Sequence, residues 1–186
     1  METRAVKKLA VILAVVLIGC VLAAGCTEEP PVETVPVFTY APGQVLYETG
    51  DVTGDGTVGG TLTTGTIDTI TFTIGLVPGQ TPINIEDLSI VYADAVRTES
   101  LIPVEGYYGN PPQGTWGVLE VKNEIGNPNN RLSDKELLVI RINPSAPLVP
   151  RQLITIGIKP PAGQPLTIRR ISPPTIIKEN NILAPV

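Results

Sequence analysis

Few residues in this 186-residue chain could do chemistry, and histidine is not among them. The commonest general base and the commonest metal ligand are therefore missing. Both cysteines, Cys20 and Cys26, fall in or directly after an apolar leader, so the sequence beyond has no thiol nucleophile, no thiolate metal site and no disulfide. What remains is carboxylate. Asp51, Thr53 and Asp55, with Gly56, imitate the opening of a calcium loop, but the twelfth position, where a bidentate carboxylate belongs, is Leu62. The plainer reading is a tight hairpin whose Asp side chains cap backbone amides. Glu86-Asp87 and Asp134-Glu136 are neighbouring acids of the kind a hydrolase could pair. They stand at a strand entrance and on a polar loop, where acids ordinarily cap turns or stay solvated. Arg169-Arg170 resembles a basic strand edge, and charge there usually guards against edge-to-edge pairing. The chain has no GxSxG, no phosphate loop and no His-Glu metal motif. The expectation is a protein with no catalytic residue, no cofactor and no metal, Asp51 and Asp55 being the nearest to a metal-binding pattern.

Charge narrows the partners. The formal net charge is −5, and setting aside the leader's +2 (Arg4, Lys7 and Lys8 against Glu2) leaves −7 on the rest. An acidic body repels nucleic acid and anionic lipid, which argues against binding either through a basic patch and against a nucleic-acid partner. The leader itself has three parts: a basic start, the apolar run 9–21, and Leu22-Ala23-Ala24-Gly25 before Cys26. The run is shorter than the ~20 residues that span a bilayer comfortably. Small residues before Cys26 and the polar, proline-rich switch after it resemble a lipobox, with Cys26 lipid-modified and Cys20 a second candidate. An uncleaved signal anchor is the alternative. Either way the domain is held outside the cell, close to the membrane, on a stiff tether of Pro and Glu.

The elements around these residues read as strands. Thr66 to Leu76 alternates Ile70, Phe72, Ile74 and Leu76 with Thr69, Thr71, Thr73 and Gly75, which places four apolar side chains on one face. Ile83 to Tyr92, Trp116 to Val121, Leu137 to Ile142, Gln152 to Lys159 and Leu166 to Ile171 form further apolar runs, most of them alternating. Val37 to Tyr40 and Val45 to Glu48 are shorter strand candidates, Gly50 to Gly60 reads as a turn, Ala93 to Tyr108 as less regular, and Ile176-Ile177 as a last edge segment. Eighteen Gly and 19 Pro punctuate these runs, and no sustained 3.6-residue apolar period follows the leader. Short strands with turn signals about every ten residues predict an all-β sandwich or barrel. Ile70, Phe72, Ile74, Trp116, Leu138, Ile140, Ile154 and Ile156 are its expected core.

Gly65-Thr66-Ile67, Ile70 to Ile74, and Gly79 with Thr81-Pro82-Ile83, in that order, resemble the outer domain of archaellins, the archaeal flagellins of methanogens. The closing block is Leu153 to Ile156 with Ile158 to Pro161, Gly163, Leu166 to Ile168 and Arg170. Trp116 after a Gly-rich loop, and Asp134 with Glu136, are also similar in order and spacing. The front differs: archaellins carry a leader cleaved at a basic-Gly junction and then a long apolar helix, whereas this apolar run stops at a lipobox-like cysteine. The one sequon-like triplet, Asn143-Pro144-Ser145, is blocked by its proline.

The resemblance implies an immunoglobulin-like antiparallel β-sandwich behind an apolar N-terminal signal or anchor helix. The expected organisation is a signal or membrane segment (1–25), a lipobox Cys with a Pro/Glu-rich tether (26–44) and an archaellin-like domain (45–186). The implied function is a structural, non-catalytic surface protein serving the archaeal flagellum or a related filament in motility. Its partners would be filament or envelope proteins, with self-association and a membrane contact through the leader, at the outer face of the cytoplasmic membrane or in an extracellular filament. A lipid-anchored binding module outside any filament is the second reading.

Overall fold

The structure is a computed structural model that describes residues 39–58, 65–124 and 126–186. The leader with Cys20 and Cys26, most of the tether, and Leu62 lie outside the described residues. Twelve strands follow in chain order: β1 (Leu46–Thr57), β2 (Thr66–Leu76), β3 (Ile83–Asn84), β4 (Ser89–Ala93), β5 (Thr98–Tyr108), β6 (Thr115–Lys122), β7 (Arg131–Leu132), β8 (Leu137–Asn143), β9 (Leu153–Lys159), β10 (Leu166–Ile171), β11 (Asn181–Ile182) and β12 (Ala184–Pro185). Ten of them form one sheet in the order β11-β1-β2-β8-β6-β5-β4-β9-β10-β12, and β3 pairs with β7 at the side.

The long sheet folds back on itself at β5. Residues up to Leu101 pair antiparallel with β4, and residues from Ile102 onward pair parallel with β6. A strand that changes partners midway makes the corner between two layers. One layer is β1-β2-β8-β6 and the other β4-β9-β10. The inward rows meet in one core: Ile70, Phe72, Ile74, Trp116, Leu138, Ile140 and Ile142 from the first, and Ile90, Tyr92, Ile154, Ile156, Ile158 and Ile168 from the second, all buried. The alternation of β2, β8 and β9 delivers them, since side chains two apart share a face. The fold is all-β and sandwich-like, as the sequence predicts.

Four stretches depart from their sequence reading. Ile83 to Tyr92 is not one strand: a 3-10 turn over Ile85–Asp87 separates β3 from β4, and β3 pairs with β7 outside the main sheet. Gly50 to Thr57 is not a turn but the second half of β1, paired with β2 from Thr53 to Thr57. Four residue steps of β1 face two of β2 between Thr49 and Thr53, and Gly50 takes the positive φ (73°) that this bulge requires. Farther on, the glycines let two backbones approach, since a Cβ at Gly56 would fall on the Thr66 carbonyl. Ala93 to Tyr108 is mostly β5. Its apolar alternation is lost because the strand serves two layers and bulges between Pro103 and Tyr108. The end of the chain is not an Ile176-Ile177 strand. Ile176 is buried without pairing, and β11 and β12 flank the buried Leu183.

Those two short strands sit at opposite ends of the sheet order. β11 pairs with β1 (Thr53 with Ile182) and β12 with β10 (Arg170 with Pro185). Only Leu183 separates them, so this five-residue strap bridges the two outer rims of the sandwich, and Leu183 donates its N–H to Val52 O at 2.9 Å. Asn181, buried, donates from Nδ2 to Gly54 O (3.0 Å) and Ile177 O (2.7 Å) and accepts from Ile177 N (2.8 Å). Across the same gap Arg170 on β10 pairs with Glu48 on β1.

Candidate functional site

The acids do not converge. Asp51 is exposed on β1, while Asp55 has both oxygens occupied: Oδ2 accepts from Arg141 Nη2 (3.1 Å) and Oδ1 from Asn180 N (2.9 Å). Oxygens already held by an arginine and an amide have no reason to gather a cation. Asp87 accepts from Asn84 Nδ2 at 3.3 Å on a single 3-10 turn (Ile85–Asp87), and Glu86 beside it is exposed. Asp134 is exposed, whereas Glu136 is buried and caps its own turn, accepting from Ser133 N at 2.7 Å. Among the described residues, no three His, Cys, Asp or Glu side chains gather as a metal site, and no helix is long and apolar enough to cross a membrane. A shallow, open hollow of about 280 Å³ between Val45, residues 80–84 and Pro161-Ala162 holds one carboxylate, Asp87. A lone exposed acid in an open hollow is not general acid–base geometry.

The polar side chains instead tie strands together. Arg141 on β8 donates to Thr71 Oγ1 (3.0 Å), Asn110 Oδ1 (3.1 Å) and Asp55, which joins β1, β2, β8 and the loop after β5 on one outer face. A second knot, not foreseen in the sequence, closes the β4–β5 turn. Asp94 Oδ1 accepts the N–H groups of Val96 (2.9 Å) and Arg97 (3.1 Å); Oδ2 accepts from Arg97 Nη2 (2.8 Å), Gln152 Nε2 (3.0 Å) and Tyr92 OH (3.3 Å). Arg97 also reaches Ala146 O at 2.9 Å and lies over the Tyr92 ring. Burial opposes ionisation of Asp94, but the donors from Val96 and Arg97 outweigh it and hold the carboxyl below its usual range. Burial first, and then the Asp94 charge, push the Tyr92 phenol well above its ordinary value. An Asp two and three residues ahead of the amides it binds is an Asx-type turn, and that local spacing was the available signal.

Arg169 is exposed, but Arg170 is no solvated edge charge. Its side chain is 15% exposed and that of its partner Glu48 18%. Burial raises the Glu48 carboxyl above its usual range, and the Arg170 guanidinium opposes that rise without cancelling it.

Among the described residues, no nucleophile, base or cradle for a small molecule emerges. The chemistry available is contact: two outer sheet faces of threonine and small residues, with isolated exposed apolar side chains such as Ile102, Leu153, Ile177 and Ile182. The comparisons agree with a protein of this kind. The family model for archaeal-type flagellin matches residues 49–170. The fold is similar to that of archaeal flagellin FlaB1 from Methanocaldococcus jannaschii, with a TM-score of 0.54 at 15% identity over 76% of this chain and 98% of that one. It is also similar to a subunit of the archaeal flagellum of Methanospirillum hungatei strain JF1, with a TM-score of 0.52 at 16% identity over 97% of this chain and 98% of that one. No curated relative matches the chain.

Proposed function

Because this chain belongs to the archaeal-type flagellin family, we propose that it is built into the archaellum, or a closely related surface filament, and serves motility there. It is a structural protein and not an enzyme. The observation that carries this reading is the family match over 49–170, the stretch from β1 to β10 that forms the sandwich. The strand-locking polar networks suit it: a subunit that works by surface contact needs a rigid body, and Asp55 and Asp94 are spent on internal bonds that tie strands together. Filaments sheared from cells and analysed by mass spectrometry should contain this chain, and deleting its gene should impair swimming. Normal filaments and normal swimming without it would overturn the proposal.

A lipid anchor is part of the proposal. The sequence Leu22-Ala23-Ala24-Gly25-Cys26 supports diacylglyceryl-type or isoprenoid modification of Cys26 and a module retained at the outer membrane face, tethered through residues 26–44. A single chain binds a bilayer only marginally, so a two-chain lipid is expected. Intact-mass analysis of membrane-extracted protein tests it. A chain cleaved before Cys26 with a lipid adduct supports the anchor, and an unmodified, uncleaved terminus removes it.

A further inference from the structure

The folded sheet has one open side. Apart from the two-residue strands β11 and β12, its margins are β1 and β10. Among the described residues, β1 pairs on that side only at Thr53 and Gly54, and β10 only at Arg170 and Ile171. An unpaired margin is a template for another strand, so folds ordinarily cover it. Here the cover is the strap that follows Ser172. Ser172 itself is fixed: its N–H donates to Gln152 O at 3.0 Å and its Oγ accepts from Gln152 N at 2.8 Å. Pro173-Pro174 come next, and neither can donate to a ladder.

The strap is held at few points. Lys178 O accepts from Gly56 N, Asn180 N donates to Asp55 Oδ1, and Leu183 N donates to Val52 O, each at 2.9 Å. Its buried apolar side chains are Ile176 and Leu183, whereas Ile177, Ile182 and Val186 are exposed. A shallow, open hollow of about 330 Å³ lies against Ile177, Asn180 and Ile182. The β1–β2 ladder, by contrast, runs from Leu46 to Thr57. A segment with few bonds and little buried apolar surface opens at a fraction of the cost of the whole fold.

What the strap covers is a shaped seat. Asn181 and Leu183 are two apart in an extended stretch, so both face inward while Ile182 faces out. Both inward side chains meet Gly54. Its carbonyl takes the Asn181 amide at 3.0 Å, and a Cβ on it would stand 3.2 Å from Leu183 Cδ1 and 2.6 Å from Ile67. The side chain that Gly54 lacks is room for the leucine. A segment seated here must offer its backbone to Thr53 and Gly54, an amide side chain, and a leucine-sized apolar one two residues later.

We propose that residues 174–186 are a displaceable lid, and that the seat around Gly54 accepts an extended segment of another protein carrying the pattern Asn-x-Leu. The incoming segment adds to β1 as an edge strand in the strap's place. Backbone bonds supply affinity, and the amide and leucine positions select the sequence. The strap competes in cis, so the apparent affinity is the intrinsic one reduced by the fraction of molecules whose lid is open. This adds to the structural role proposed above and does not depend on it.

The probe is a fluorescein-labelled peptide of residues 179–186, added to the full chain in mild detergent and followed by anisotropy. Wild type should capture it weakly and saturably. Leu183→Ala in the chain removes the strap's plug, so capture should tighten by roughly tenfold or more. Peptides carrying Asn181→Ala or Leu183→Ala should lose capture by a similar factor. Native-state hydrogen exchange of the wild type is the second measurement, and it needs no variant to fold. The amides of Gly56, Asn180 and Leu183 should share one level of protection, roughly tenfold or more below that of the β2–β8 ladder. Protection equal to the ladder's would mean a lid that opens only with the whole fold, and overturns the inference. So does equal binding of all three peptides, which is unspecific adhesion, or no capture by a folded Leu183→Ala chain. A strap exchanged between two copies would appear in sedimentation as a dimer that excludes the peptide, and would overturn it too.

Discussion

Replacing Arg170 with Met would leave the Glu48 carboxylate stranded in the gap between β1 and β10. The pair is about four-fifths hidden, with 18% and 15% of the two side chains exposed. Breaking a buried pair on one side costs about 3–5 kcal/mol, and the residual exposure argues for the lower end, about 3 kcal/mol. For a domain of this size that is a fall of roughly 6–12 °C in melting temperature. The loss must depend on pH. Burial already raises the folded Glu48 carboxyl above its unfolded value. A group raised in this way favours the fold below its unfolded pKa of about 4.3 and loses that advantage as pH rises through the folded pKa. Arg170 offsets the loss in the wild type, and Arg170→Met removes the offset. The difference between variant and wild type should therefore be largest near pH 8 and shrink toward pH 4, as Glu48 becomes mostly protonated in both states. Urea melts followed by circular dichroism at the two pH values would measure it. Glu48→Met with Arg170→Met should return to within about 1 kcal/mol of wild type, since both charges are gone and the space stays filled. A deficit below about 1 kcal/mol, or one flat across pH, would mean the pair behaves as an exposed one and would refute the reasoning.

Phe72→Ala should cost about 3–5 kcal/mol, read as a lowered denaturation midpoint, because Phe72 is buried where the two layers meet. Asp94 is held below its usual range, so its stabilisation is present above the unfolded value near 3.9 and disappears as pH falls through the lower folded value. Asp94→Asn should thus lower stability at pH 7 by about 2–3 kcal/mol and flatten the acid limb of the stability–pH curve. Asn181→Ala should cost about 1–3 kcal/mol and speed amide exchange at Leu183 and Gly56 before it touches the β2–β8 ladder. Uniform acceleration across all amides would show that the strap does not open on its own.

The sequence made some of this architecture readable and hid the rest, for physical reasons that differ by element. β2, β8 and β9 each bury one face, so a period of two is imposed on their side chains and appears in the residue order. β1 was hidden because its glycines, which permit backbone contact and a bulge, look the same as turn glycines when no partner strand is in view. β5 was hidden because a strand that serves two layers has no single buried face to impose a period. Asp94 and Arg97 are three apart, and a local turn reading could have found them. Glu48 with Arg170 and Asp55 with Arg141 join residues brought together only by the closed sheet, and nothing local marks them.

The bridge made by Asn181–Pro185 has a consequence for manufacture. These residues follow every other strand, so a chain emerging in order holds two unzipped rims in solvent until they arrive. A fragment cut to the family-matched stretch 49–170 would never receive them, and would carry bare strand margins, the surfaces on which misassembly begins. Recombinant work on this protein should therefore keep residues 171–186 intact.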